Sequence, residues 1–130
     1  MRFDLEIEEG VTVPCSFGIN STELYCELKG IDLGEVEEHI GPNMKAPDLR
    51  DLIYTGIQAA ALEDGVECPY NKYKVGQSLN DFFTADGLID VLAKFGDSLP
   101  KFVDKKKVAE LVAKVGKPPK KGKATGSKSK

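Results

Sequence analysis

The sequence predicts a mainly α domain: a small helical body of about five to six helices, an N-terminal β-hairpin and a disordered basic C-terminal tail. Three observations carry that reading. From Pro47 to Gly65 the apolar or small residues Leu49, Leu52, Ile53, Gly56, Ile57 and Ala60 fall on one helical face. Residues 2–8 alternate instead, as a half-exposed strand does. Between residues 19 and 41, a helix cap, its capping box and a hydrophobic staple occur twice in succession. A chain of 130 residues makes one small domain. It is expected over residues 1–115, with the hairpin at 1–16 and the Lys-rich tail at 116–130.

In the first strand Phe3, Leu5 and Ile7 point one way and Arg2, Asp4, Glu6 and Glu8 the other. Glu9-Gly10 turns the chain into a second strand through Val11, Val13 and Cys15. Pro14 cannot donate to a ladder, so this strand lies at an edge or ends there. Two strands alone are marginal, so a helical layer is required beneath them. Asn20 is the expected N-cap of the first helix, with Glu23 at N3 and Ile19 and Leu24 as staple; Gly30 ends it. Asp32 caps the next, with Glu35 at N3 and Ile31 and Val36 as staple, and Gly41-Pro42 closes it. Leu24, Tyr25, Leu28, Val36 and Ile40 are expected to face the core.

The helix from Pro47 to Gly65 is the one the rest is arranged around. Asp48 is its expected cap, with Asp51 at N3, Pro47 just outside and Gly65 as the left-handed stop. Tyr54, Ala59 and Ala61 widen its apolar surface, and Gly56 with the alanines lets other helices come close. Residues 66–74 are polar, contain Pro69 and read as a loop. Ser78 to Phe83 forms a short helix presenting Leu79, Phe82 and Phe83. Thr84 then caps a longer helix lined by Leu88, Leu92, Phe95, Leu99 and Phe102, which ends or kinks near Asp97 or Ser98 ahead of Pro100. Asp104 caps the last helix, with Val108, Leu111, Val112 and Val115 on one face. Beyond Gly116 only one alanine is apolar, too little to offset the entropy of ordering.

Composition narrows the function. The net charge of −3 conceals 7 basic against 19 acidic residues in 1–100, and 11 lysines against 2 acids in 101–130. No apolar run reaches the length of a membrane span, and the acidic start is not that of a signal peptide. Cys15, Cys26 and Cys68 lack metal or disulfide spacing and read as reduced thiols of a cytosolic protein. His39 is the only histidine, expected on the exposed side of a short acidic helix, and no nucleophile pattern or phosphate loop accompanies it. No enzyme, cofactor or metal is therefore expected. Glu35, Glu37 and Glu38 read as a solvated helix face. Gly96-Asp97-Ser98-Leu99 looks like the phosphopantetheine site of acyl carrier proteins, but Pro100 and the lysine-rich helix after it break that pattern. Ser98 reads as a helix-end residue. The tail offers phosphates only non-specific attraction, has no aromatic to stack on bases, and follows an acidic body; it reads as a solubilising tether.

The order of elements resembles a known family. A hairpin leads into FGINSTELYCELKGIDLGEVEEHI, then PDLRDLIYTGIQAAALEDG, SLNDFF and LIDVLAKFGDSLPKF. With Phe17-Gly18, Leu28 to Gly30, Leu33, and the set Leu49, Leu52, Tyr54, Gly56 and Ala60, residues 13–102 resemble the tail assembly chaperones of long-tailed phages and prophages. The resemblance implies a helical protein of the bacterial cytoplasm that binds the tail tube protein and the tape measure protein. It keeps them soluble before the tail polymerises and is absent from the mature virion. It implies no catalytic residues, no specific nucleic acid and no membrane. The alternative is a structural phage protein, a tail-tube terminator or head–tail connector retained in the virion.

A chaperone of this kind must meet apolar surface or strand edges and release them later. The residues placed to do so are Phe3, Leu5 and Ile7 on a strand with an unpaired edge, and Phe82 and Phe83 beside Gly87. The same residues can equally close the core.

Overall fold

Helix α3 (Ala46–Asp64) is the element against which the hairpin, α1 and α4 pack in the computed structural model, which describes residues 1–41, 44–99 and 106–116. The chain order is β1 (Arg2–Glu8), β2 (Val11–Ser16), α1 (Ile19–Lys29), a 3-10 turn (Leu33–Glu35), α2 (Val36–His39), α3, α4 (Lys72–Asp81), α5 (Ala85–Ser98) and α6 (Lys106–Gly116). This is the mainly helical body with an N-terminal hairpin. The expectations for Pro42, Phe102, Asp104 and residues 117–130 fall outside the described residues.

The core gathers Leu5, Ile7, Val13 and Cys15 from the hairpin, with Phe17, Tyr25, Val36 and Ile40 after it. Leu52, Ile53 and Ile57 of α3 meet them, and Val75, Val91, Leu92, Phe95, Leu99 and Leu111 complete the cluster. The face of α3 is thus buried as its spacing predicts. Its neighbour at Gly56 is not another helix but β2. A Cβ there would lie 2.6 Å from both Cys15 Sγ and Phe17 Cε1, so only a glycine lets the strand come this close.

Several boundaries differ from expectation for local reasons. Helix α3 starts at Ala46, with Lys45 in extended backbone before it and Pro47 inside the first turn, where its missing N–H has no bond to lose. Asp48 and Asp51 do not form a capping box. Lys29 Nζ of α1 pairs with Asp48 Oδ1 at 2.8 Å and with Asp51, and Arg50 Nε donates to Asp51 Oδ1 at 2.9 Å. Burial opposes the charge on Asp51, but the bonds from Arg50 and Lys29 outweigh it and hold the carboxyl below its ordinary value. Gly65 ends the helix at φ +68°, as predicted.

Helix α1 is capped by Gly18, not Asn20. The Ser21 hydroxyl accepts from Gly18 N–H at 3.0 Å and the Thr22 hydroxyl donates to Gly18 O at 2.8 Å. Its buried face is Ser21, Thr22 and Tyr25, which turns Leu28 out to 41 % exposure and leaves Leu24 half-buried, against the expectation that both face the core. Tyr25, Val36 and Ile40 are buried as expected. The Asp32 box is present: Asp32 Oδ1 accepts from Glu35 N–H at 3.1 Å and Glu35 Oε1 from Asp32 N–H at 2.9 Å.

Helix α4 begins six residues before the predicted short helix. Asn71 Oδ1 accepts from Lys74 N–H at 3.0 Å, placing Lys72 to Lys74 in a helix and not in a loop. It ends at Asp81, so Phe82 and Phe83 follow it. Both of their N–H groups bond to Ser78 O, at 2.8 and 2.9 Å. Thr84 caps α5 by accepting from Gly87 N–H at 3.1 Å, and α5 stops at Ser98 as predicted. Leu111 of α6 is buried and Val112 and Val115 are half-buried against the core.

Candidate docking cleft

The two strands form an antiparallel ladder, and its parity fixes which backbone groups face outward. Phe17 N–H donates to Met1 O at 2.8 Å and the Met1 amino group returns a bond to Phe17 O. Bonded pairs alternate along such a ladder, so Phe3–Cys15 and Leu5–Val13 are the next two. The N–H and C=O groups of Arg2, Asp4 and Glu6 therefore point away from β2. On β2 the outward set includes Pro14, opposite Asp4, which has no N–H to offer. The edge of β2 is thus blunted by a proline. The edge of β1 is not, and no other strand pairs with it among the described residues. A bulge between Glu6 and Glu8 ends the regular edge.

Along that open edge runs a cleft of about 410 Å³. Phe3, Asp4, Leu5 and Glu6 line one side, and Phe82, Phe83, Gly87, Val91 and Lys94 the other. Four consecutive strand residues alternate between the two faces, so their joint presence means the cleft follows the edge and not one face. Phe82 and Phe83 stand edge to face at 6.2 Å between centroids. Phe3 packs on Phe17 at 5.6 Å, and Phe17 on Phe95 at 5.4 Å, which anchors this wall in the core. Lys94 Nζ lies 5.0 Å from the centre of the Phe3 ring and is ion-paired with Asp90, which also lines the cleft.

The sequence-predicted partner residues divide here. Phe3, Phe82 and Phe83 are half-buried and meet at the cleft, though 79 positions separate Phe3 from Phe82. Leu5, 4 % exposed, reaches it only as part of the core wall. Ile7, 0 % exposed, lies in the core and does not line it. Asp90, Val91 and Lys94 were not among the expected site residues. The one local signal for them is the i, i+4 spacing of Asp90 and Lys94.

Arg2 is held elsewhere. It pairs with Glu63 at 3.4 Å and with Asp64, at the end of α3. Asn20 and Ser16 donate to the same Glu63 carboxylate, at 3.0 and 3.1 Å, and with Arg2 they hold it below its ordinary value. With Arg2 so engaged, the outward charges of β1 along the cleft are Asp4 and Glu6. Glu6 Oε2 also accepts from Gly10 N–H at 3.2 Å.

Other reactive groups are occupied. His39 is half-buried, not exposed, and its Nδ1 lies 2.8 Å from the hydroxyl of the buried Tyr25. Burial pushes the Cys15 thiol up to about 12, far from the range of a reactive thiolate. Ser98 Oγ donates to Phe95 O at 2.7 Å, the bond of a helix-end serine. Among the described residues no group of three or more His, Cys, Asp and Glu could hold a metal ion, and no helix is long and apolar enough to cross a membrane. No protein-family model, curated protein or solved structure matches the chain.

Proposed function

We propose that this protein is a tail assembly chaperone of a long-tailed phage or prophage. In this reading it binds tail tube and tape measure proteins in the bacterial cytoplasm, keeps them from premature polymerisation, and is left out of the finished particle. The resemblance over residues 13–102 supports it. The observation that carries it is the cleft, where an open strand edge lies beside an aromatic pair. Subunits that polymerise through strand edges and apolar patches are masked by a surface offering both.

Two measurements test this together. Pull-down from cells making the chain, the cognate tube protein and the tape measure protein recovers a complex if the reading is right. Mass spectrometry of purified particles then finds the chain missing. Its presence there at a fixed copy number favours a tail or head–tail connector protein instead, and no complex with either partner rejects the chaperone.

A further inference from the structure

We infer that the cleft takes an extended segment of alternating apolar and basic residues, added as a third strand to the open edge of β1. This rests on the chaperone reading and specifies what its site recognises. The outward N–H and C=O groups of Arg2, Asp4 and Glu6 form a regular row ending at the bulge. Five residues of strand span roughly 13 Å between their end Cα atoms, enough for a short segment to bond to both Asp4 and Glu6. Residues of the incoming strand directly opposite Asp4 and Glu6 share their outward face, and those two carboxylates are the charges β1 brings to the cleft. Lysine or arginine fits there, because Lys94 is neutralised by Asp90 and Arg2 by Glu63 and Asp64. The intervening side chains point inward. They meet Phe3, Phe82, Phe83 and Val91, which take apolar groups. The backbone row thus supplies the attachment and the two faces supply the alternation that selects the partner. Pro14 explains why β1 is used: the other edge of the hairpin cannot complete the same row.

The test uses the full chain and an acetylated, amidated heptapeptide of alternating lysine and valine. Amide-resolved hydrogen exchange by NMR is expected to show the Asp4 and Glu6 N–H groups, fast in the free chain, slowed by about tenfold or more when the peptide is bound. N-methylating the peptide on its lysine amides or on its valine amides blocks opposite edges of the strand. One of the two modified peptides is expected to lose about tenfold or more in affinity while the other binds like the parent, and the sensitive set reports whether the strand adds parallel or antiparallel. A peptide of alternating glutamate and valine is expected to bind about tenfold more weakly, and Asp4→Lys, at an exposed position beside the remaining Glu6, is expected to remove most of that preference. Strand addition is overturned by no binding, by equal loss for both methylated peptides, or by protection at other amides while Asp4 and Glu6 still exchange. A chain that keeps tube protein soluble without protecting these amides overturns strand addition alone. Protection by the peptide with no effect on tube or tape measure protein overturns the chaperone reading alone.

Discussion

Replacing Gly56 by alanine tests the packing on which the fold depends, because two effects of known size oppose each other there. In an exposed helix interior the change is favourable by about 1 kcal/mol, since alanine is the better helix former. Here the new methyl would lie 2.6 Å from Cys15 Sγ and 2.6 Å from Phe17 Cε1. Both of those residues are wholly buried, at 0 % exposure, and Phe17 is held on its other faces by Phe3 and Phe95. Neither can swing aside, so the strand must shift from the helix, at the upper end of the usual overpacking cost of about 1–3 kcal/mol or beyond it. The net expectation is a loss of about 2 kcal/mol, from a total of about 5–15 for a domain of this size. In urea, with a slope of about 1–2 kcal/mol per M, the midpoint falls by about 1–2 M. Gly76→Ala is the internal control: its new methyl meets Arg50 Cδ at 3.2 Å, part of a flexible stem, and the variant is expected to match wild type or gain up to about 1 kcal/mol. An unchanged or raised midpoint for Gly56→Ala would refute the close approach of β2 to α3.

Leu52→Ala removes a side chain only 1 % exposed and is expected to cost about 2–5 kcal/mol in the same melt; a loss under about 0.5 kcal/mol would mean α3 is not the centre of the core. Asp51→Asn takes the anion from between Lys29 and Arg50 and is expected to cost about 1.5–3 kcal/mol near neutral pH, the range for hydrogen bonds to charged groups. Because folding lowers the pKa of Asp51, its contribution is complete above the unfolded carboxylate value of about 3.9 and is lost as pH falls through the folded value. The gap between wild type and Asp51→Asn should therefore narrow in melts below about pH 4, and a constant gap would contradict the assigned ion pair.

Local signals predicted local structure well. Alternation at Phe3, Leu5 and Ile7, the Asp32–Glu35 box, the Thr84 cap and the Gly65 stop each depend on residues a few positions apart, and each is found. Where two caps competed, spacing alone could not choose. Asn20 has the better cap side chain, but it is drawn to Glu63 on α3, and Ser21 and Thr22 tie down Gly18 instead. Asn71 caps α4, but Pro69 and the run of polar residues around it give the sequence there the character of a loop. The cleft was legible as parts and not as a whole. Unpaired strand and aromatic pair were each recognisable, yet their meeting depends on how α4, α5 and the hairpin all pack, which no short window contains. Ile7 illustrates the converse, since alternation cannot tell a strand's core residues from those at its accessible end.

On the proposed function, this cleft holds unassembled tail subunits in a soluble form. It is tested by the soluble, unpolymerised fraction of the cognate tube protein when co-expressed with wild type, with Phe82→Asp, with Phe83→Asp, or without this chain. Phe83 also packs against the core, so circular dichroism and a thermal melt must first show that each variant is folded. Wild type is expected to raise the soluble fraction, and a folded Phe82→Asp or Phe83→Asp chain to lose most of that effect, because a carboxylate in the apolar wall opposes the segment it must hold. Tube protein that is equally soluble with and without the wild-type chain would contradict the proposed function.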